Sequence, residues 1–177
     1  MHGLKGFTLM ELLIVVSLIM ILSVVGMGSF TLATIKSKDT QRKNNLNQIV
    51  KAIESFYTDV GRYPLSADGD DFLRCYIKDG TSVTNSICED NKLYAVIDQA
   101  MTTYIVIPED PDPSQKYVYI SADGFSYEIY AALENMGDKD LLRDEAGHVI
   151  TDPWGVECGT GVSCNYKVTE TGLVKSL

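Results

Sequence analysis

The feature that most constrains this chain is its first stretch, Lys5 to Phe30, KGFTLMELLIVVSLIMILSVVGMGSF. From Phe7 to Ile35 the one ionisable side chain is Glu11. At ~1.5 Å per residue a helix over that run reaches ~43 Å, more than the ~30 Å hydrocarbon core of a bilayer. An apolar segment of this length is expected to span a membrane or to be packed by partners on all sides. The lone carboxylate near its start is the more telling detail. An acid at membrane depth costs roughly 2.5 kcal/mol or more, so it is read as functional and in want of a partner. The competing reading is a signal anchor with a stray acid near the interface.

Six residues precede Phe7, ending in Lys5 and Gly6, and the string Gly6, Phe7, Thr8, Leu9, Glu11 then leads into the apolar run. Glycine at a cleavage position leaves the backbone open to an enzyme. The string resembles the prepilin leader and mature N-terminus of type IV pilins and type II secretion pseudopilins. The resemblance implies cleavage between Gly6 and Phe7, N-methylation of Phe7, and an assembly role for Glu11 against the Phe7 amine of a neighbouring subunit. It also implies as partners other pilin-like chains, a prepilin peptidase/methyltransferase, an inner-membrane assembly platform and the lipid bilayer.

Residues 36–177 leave enough chain for one globular domain with a modest core. The formal charge is −9, which argues against a broad basic face for nucleic acid. Lys36, Lys38, Arg42, Lys43 and Lys51 nevertheless cluster just after the apolar run, opposed by Asp39. By the positive-inside rule this cluster would keep the C-terminal part cytoplasmic. The cysteines and the family resemblance argue for the opposite orientation, which we adopt. The cluster is then a solvated helix face or a surface for acidic faces of neighbours.

Cys75, Cys88, Cys158 and Cys164 all lie in the polar part, and no two have CxxC spacing. Two disulfides in an oxidising compartment are the natural reading. Three connectivities exist, of which we favour the sequence neighbours, Cys75–Cys88 and Cys158–Cys164. The first would close a loop of about 14 residues, worth ~3 kcal/mol by chain entropy.

Leu46, Ile49, Val50, Ile53, Tyr57 and Val60 follow steps of three and four, so the helix is predicted to continue with one apolar face. Gly61 supplies its C-terminal stop and Pro64 prevents resumption. A helix from Phe7 to Asp59 would measure ~80 Å. The stretch Leu46 to Pro64, ending Phe-Tyr-x-Asp-x-Gly-Arg-Tyr-Pro, also resembles bacterial pilins and major pseudopilins. Where many type IV pilins have a helix-weakening proline, this chain has Gly26 and Gly28, read as a close helix–helix contact ahead of a place where the helix stretches.

Residues 65–91 read as an irregular, disulfide-tied loop. Leu93, Val96, Ile97, Ala100, Met101 and Tyr104 have helical spacing and predict a short second helix, ended by Pro108. Tyr117–Ile120 and Phe125–Tyr130 flank Ser-Ala-Asp-Gly and predict a hairpin, with Phe125, Tyr127 and Ile129 on its apolar face. Asn165–Val168 is expected to be a last strand. Asp152-Pro153-Trp154-Gly155 is similar to a turn of major pseudopilins, which carry calcium in this region. Asp138, Asp140 and Asp144 offer hard oxygen ligands, but the EF-hand pattern is incomplete and a solvated acidic loop competes. No cofactor is expected, and calcium is the one candidate weighed, ranked behind the solvated acidic loop.

The expected fold is α+β and pilin-like. One long N-terminal helix, its first half membrane-spanning, packs on a small antiparallel sheet with disulfide-tied loops. The expected domains are a leader at 1–6, a transmembrane or filament-core helix half at 7–35 and an extracytoplasmic domain at 36–177. No enzymatic motif is present, and the two histidines, His2 and His148, leave little for acid–base chemistry. The expected function is a pilin or pseudopilin subunit, inserted as a single-pass precursor in the cytoplasmic membrane and then built into a cell-surface or periplasmic filament. The alternative is a signal-anchored extracytoplasmic binding protein that does not polymerise.

Overall fold

The computed structural model describes residues 6–66, 73–88 and 91–174, leaving aside the side chains of 24–29. The expectations for residues 1–5 of the leader and for the surroundings of Gly26 and Gly28 lie outside the described residues. The chain forms two units, Met1–Ser37 and Lys38–Leu177. A single helix, α1 (Leu9–Val60), begins in the first and ends in the second.

In the first unit, α1 starts at a capping box. The Thr8 N–H and hydroxyl donate to Glu11 Oε2 at 2.9 and 2.8 Å, and the Glu11 N–H donates to Thr8 Oγ1 at 3.2 Å. Two otherwise orphaned N–H groups are satisfied reciprocally. From Leu9 to Leu22 every Leu, Ile, Val and Met side chain is exposed. The hydroxyls of Ser17 and Ser23 donate back to the carbonyls of Ile14 and Ile19, so they add little polarity to that surface.

One expectation fails here. Among the described residues no helix is long and apolar enough to cross a membrane. The first turn of α1 carries the acid Glu11, and Lys36 and Lys38 follow the apolar residues further along the same helix. The membrane-spanning helix half is thereby overturned. With it go the single-pass precursor, its filament destination, the pilin or pseudopilin subunit built on such a helix, and the anchored binding protein.

In the second unit, α1 buries Leu46, Ile49, Ala52, Ile53 and Phe56. The stripe is the expected one save at its end, where Phe56 is buried and Tyr57 is exposed. The helix closes on Gly61, whose φ is 81° and whose N–H donates to the Tyr57 carbonyl at 2.8 Å. That is the left-handed C-terminal stop that glycine favours.

Two four-stranded sheets and a small hairpin complete the unit. The first sheet has the order β2-β1-β3-β4, from β1 (Arg74–Asp79), β2 (Ser82–Ile87), β3 (Lys92–Ile97) and β4 (Ala100–Val106). The β1–β3 pair is parallel and the others antiparallel, so this sheet is mixed where an antiparallel one was expected. The predicted loop is in part the hairpin β1–β2, and the predicted second helix is the hairpin β3–β4. Its apparent helical spacing came from apolar residues that in fact alternate: Leu93 and Ala95 are buried while Tyr94 and Val96 are only partly so. The run Thr-Thr-Tyr-Ile-Val at 102–106 favours a pleated strand. The turn between them puts Asp98 and Gln99 at φ 47° and 72°.

The second sheet, order β10-β9-β6-β5, is wholly antiparallel. It comprises β5 (Val118–Ile120), β6 (Glu128–Ala131), β9 (Tyr166–Thr169) and β10 (Gly172–Leu173). Tyr127 and Ile129 point into the core, but Phe125 is exposed. The hairpin loop is pinned to the end of α1 instead: the Tyr63 N–H donates to the Gly124 carbonyl, and a Cβ at Gly124 would lie 3.0 Å from the Tyr63 carbonyl oxygen. β7 (Glu157–Gly159) and β8 (Val162–Ser163) form the small hairpin. Cys75 is bonded to Cys88 and Cys158 to Cys164; the second pair packs with Val118 and Tyr130 in a satellite core.

Candidate functional site

Two places concentrate chemistry, one in each unit. In the first, the turn Gly6–Glu11 gathers the residues named from the sequence. Phe7 is exposed, and both bonds from Thr8 reach one oxygen of Glu11. The backbone and hydroxyl hydrogen bonds from Thr8 hold the Glu11 carboxyl below the usual carboxylate range, as bonding to the charged form must. The acid read as awaiting a partner is therefore already engaged by its own helix. The Thr-x-x-Glu spacing signals a capping box, and that local role was missed.

The second place is the middle of the basic cluster, Lys38, Arg42 and Lys43, which is engaged by acids of its own unit, while Lys36 and Lys51 are exposed. Arg42 is fully buried and Asp39 nearly so. The Arg42 Nη1 meets Asp39 Oδ1 at 2.7 Å, and its Nε and Nη2 grip both oxygens of Asp110 at 3.0 Å. Nη2 also reaches Glu134 Oε1 at 2.7 Å. Asp39 in turn accepts the N–H groups of Glu134 and Asn135 at 3.0 and 2.7 Å. Burial pulls the Arg42 pKa down, but bonds from Asp110, Glu134 and Asp39 outweigh it and raise the net value.

Lys38 lies 3.4 Å from Asp112 and 3.7 Å from Glu134. Lys43 donates to Asp138 and Asp140 at 2.7 and 2.8 Å and sits over the Tyr166 ring. For Lys43 burial again lowers the pKa, and the two aspartates raise it further than burial lowers it. Asn45 completes the row with bonds to the Glu109 carbonyl and the Tyr117 hydroxyl. One face of α1 thus clamps two loops, 108–113 and 134–140, that carry no regular structure. Paired guanidinium–carboxylate forks give this clamp its geometry.

The same contacts engage the acidic loop. Asp138 and Asp140 turn their carboxylates to Lys43, while Asp144 accepts from the His148 N–H and faces its ring. The three do not converge, and among the described residues no group of acids, cysteines or histidines is arranged to hold a metal. A surface cavity of about 340 Å³ lies beside the clamp, lined by Ile107, Pro108, Asp110, Pro113, Gln115 and Tyr117 among others. Two of its polar groups, Asp110 and the Tyr117 hydroxyl, are bonded to Arg42 and Asn45, whereas Gln115 Oε1 is buried without a hydrogen-bond partner among the described residues.

No family model matches the chain, and no solved structure does. Over 59 residues the chain is 39% identical to the type IV major pilin protein PilA of Myxococcus xanthus (strain DK1622). The match covers 33% of this chain and 27% of that protein, so the chain spans about a quarter of the relative's length. The similarity is partial, confined to that stretch, and to a type IV pilin.

Proposed function

We propose that this chain is a non-catalytic assembly module, in which the Leu9–Leu22 part of α1 is buried by helices of other copies or of other pilin-like chains. The observation that carries the reading is the exposure of apolar side chains on all sides of that part of the helix. A helix apolar all round is stable only when covered, and an exposed patch of this kind marks an interaction surface. Partial similarity to a type IV pilin supports the kind of partner.

Within this reading Glu11 sets register. Thr8 engages Oε2, and Oε1 is left to accept from a neighbour's amine. That amine would be the N-terminus of Phe7, released by cleavage after Gly6 and methylated, with a prepilin peptidase/methyltransferase as the processing partner. Cysteines locked in disulfides and an exposed His148 fit a role without catalysis.

Light scattering on the purified full chain tests the assembly. The native chain is expected to self-associate, and Leu13→Asp or Leu18→Asp to shift it to monomer, since burying an unpaired carboxylate is strongly unfavourable. A native chain that stays monomeric, or variants that associate equally well, would refute the proposal. Intact mass from the native host tests the processing: a chain beginning at methylated Phe7 is expected, and an intact Met1 would remove it.

A further inference from the structure

Sheet edges expose unpaired backbone donors and acceptors, and proteins protect them with short strands, charges, prolines or bulges. In the second sheet the edges β5 and β10 are three and two residues long. In the first, β4 breaks its ladder with a register shift opposite Leu93 and Tyr94. The remaining edge, β2, has none of these devices. Ser-Val-Thr-Asn-Ser-Ile runs without charge or proline, and all six residues pair with β1 in unbroken register. Val83 and Ile87 are 45% and 62% exposed.

The direction of its free hydrogen-bonding groups follows from the turn. Gly80 and Thr81 form a two-residue connection closed by the pair Asp79 and Ser82. In such a hairpin the closing pair exchanges both of its bonds, and alternate pairs do so thereafter. The backbones of Ser82, Thr84 and Ser86 are therefore turned to β1. Those of Val83, Asn85 and Ile87 face outward.

We propose that β2 is a self-pairing edge: it takes the β2 strand of a second copy in antiparallel register about a two-fold axis through Asn85. Outward-facing residues must meet outward-facing residues, so the symmetric register with fullest overlap sets Asn85 opposite its counterpart and Val83 opposite Ile87. It forms about six new backbone hydrogen bonds. It also places the two exposed apolar side chains of the strand against each other, the kind of cross-strand pair that stabilises a sheet. Arg62 donates to Asn85 Oδ1 at 3.2 Å and stacks on Tyr76, which leaves the Asn85 amide nitrogen as a donor at the axis. A second copy is the fitting occupant because β2 is uncharged. Two chains of charge −9 can meet here without opposing carboxylates in the paired strands. The contact is independent of the α1 surface discussed above.

The test uses the full chain carrying Leu13→Asp, which removes association through α1, together with Asn85→Cys. The native cysteines are all paired, so the new thiol stands alone. Hydrogen-bonded antiparallel partners lie ~5.5 Å apart at Cα, within disulfide reach. Mild oxidation is expected to give a covalent dimer on a non-reducing gel, whereas Thr81→Cys in the turn is expected to stay monomeric. Adding Val83→Pro removes an outward N–H and leaves the β1–β2 ladder intact. It should lower the dimer yield about fivefold or more, with the thermal midpoint close to its parent's. A monomeric Asn85→Cys chain, equal cross-linking at Thr81→Cys, or a yield indifferent to Val83→Pro with the fold intact would each overturn the proposal.

Discussion

At the scale of single residues, Glu11 shows how a local hydrogen bond can absorb a residue whose sequence position suggests a distant partner. Its carboxylate closes the first turn of α1 through Thr8. Its pKa is lowered by those bonds. A depressed carboxyl contributes stability that is present above its unfolded value and is lost as pH falls through its folded value. The protection of the amides at residues 9–12, measured by NMR exchange relative to the intrinsic rate at each pH, should therefore fall on acidification below the ordinary carboxylate range. Thr8→Ala should bring the same fraying at neutral pH, since removing such a cap weakens a helix start by ~1 kcal/mol. Protection in that turn that ignores both pH and Thr8 would show that the box does not hold the helix.

At the scale of elements, what could be read depended on how many residues each element uses to state its period. α1 repeats its apolar step over many turns, so Leu46, Ile49 and Ile53 and the stop at Gly61 were legible. The β5–β6 hairpin was legible from its turn residues, though the exposure of Phe125 was not. The β3–β4 hairpin was misread as a helix because its turn lacks the Asn-Gly signature. Asp98 and Gln99 occupy the left-handed region that a type I′ turn demands. This suggests a direct improvement. Gln99→Gly should stabilise the chain by ~0.5–1 kcal/mol by relieving a positive φ at a residue with a Cβ, measured as a higher urea midpoint. An unchanged or lower midpoint would show that the turn holds no strain at that position.

At the scale of the whole molecule, the Arg42 clamp is the feature that sequence could not disclose. Its partners Asp110 and Glu134 lie far along the chain in loops without periodic pattern. A run of lysines and arginines beside an apolar helix reads as surface, because charged side chains are seldom buried unless paired, and the pairing appears only once the loops are in place. Arg42→Ala would strand Asp39 and Asp110 in the interior, at a cost of ~3–5 kcal/mol. Arg42→Lys should recover only part of this because it cannot reproduce the two-pronged grip on Asp110. Urea titration of the three chains checks the order, and a stable Arg42→Ala chain would contradict it.

The clamp also shapes what the molecule presents to its surroundings. Lys38, Arg42 and Lys43 spend their charge on loop carboxylates of the same chain. Of the positive charge gathered on this stretch of α1, these three residues are neutralised within the chain and Lys36 and Lys51 stay exposed. Other copies approach through a predominantly anionic field that weakens beyond ~10 Å at 0.1 M salt. Dilute buffer should keep these chains apart and physiological ionic strength should let them meet, so the solution itself acts as a gate on association.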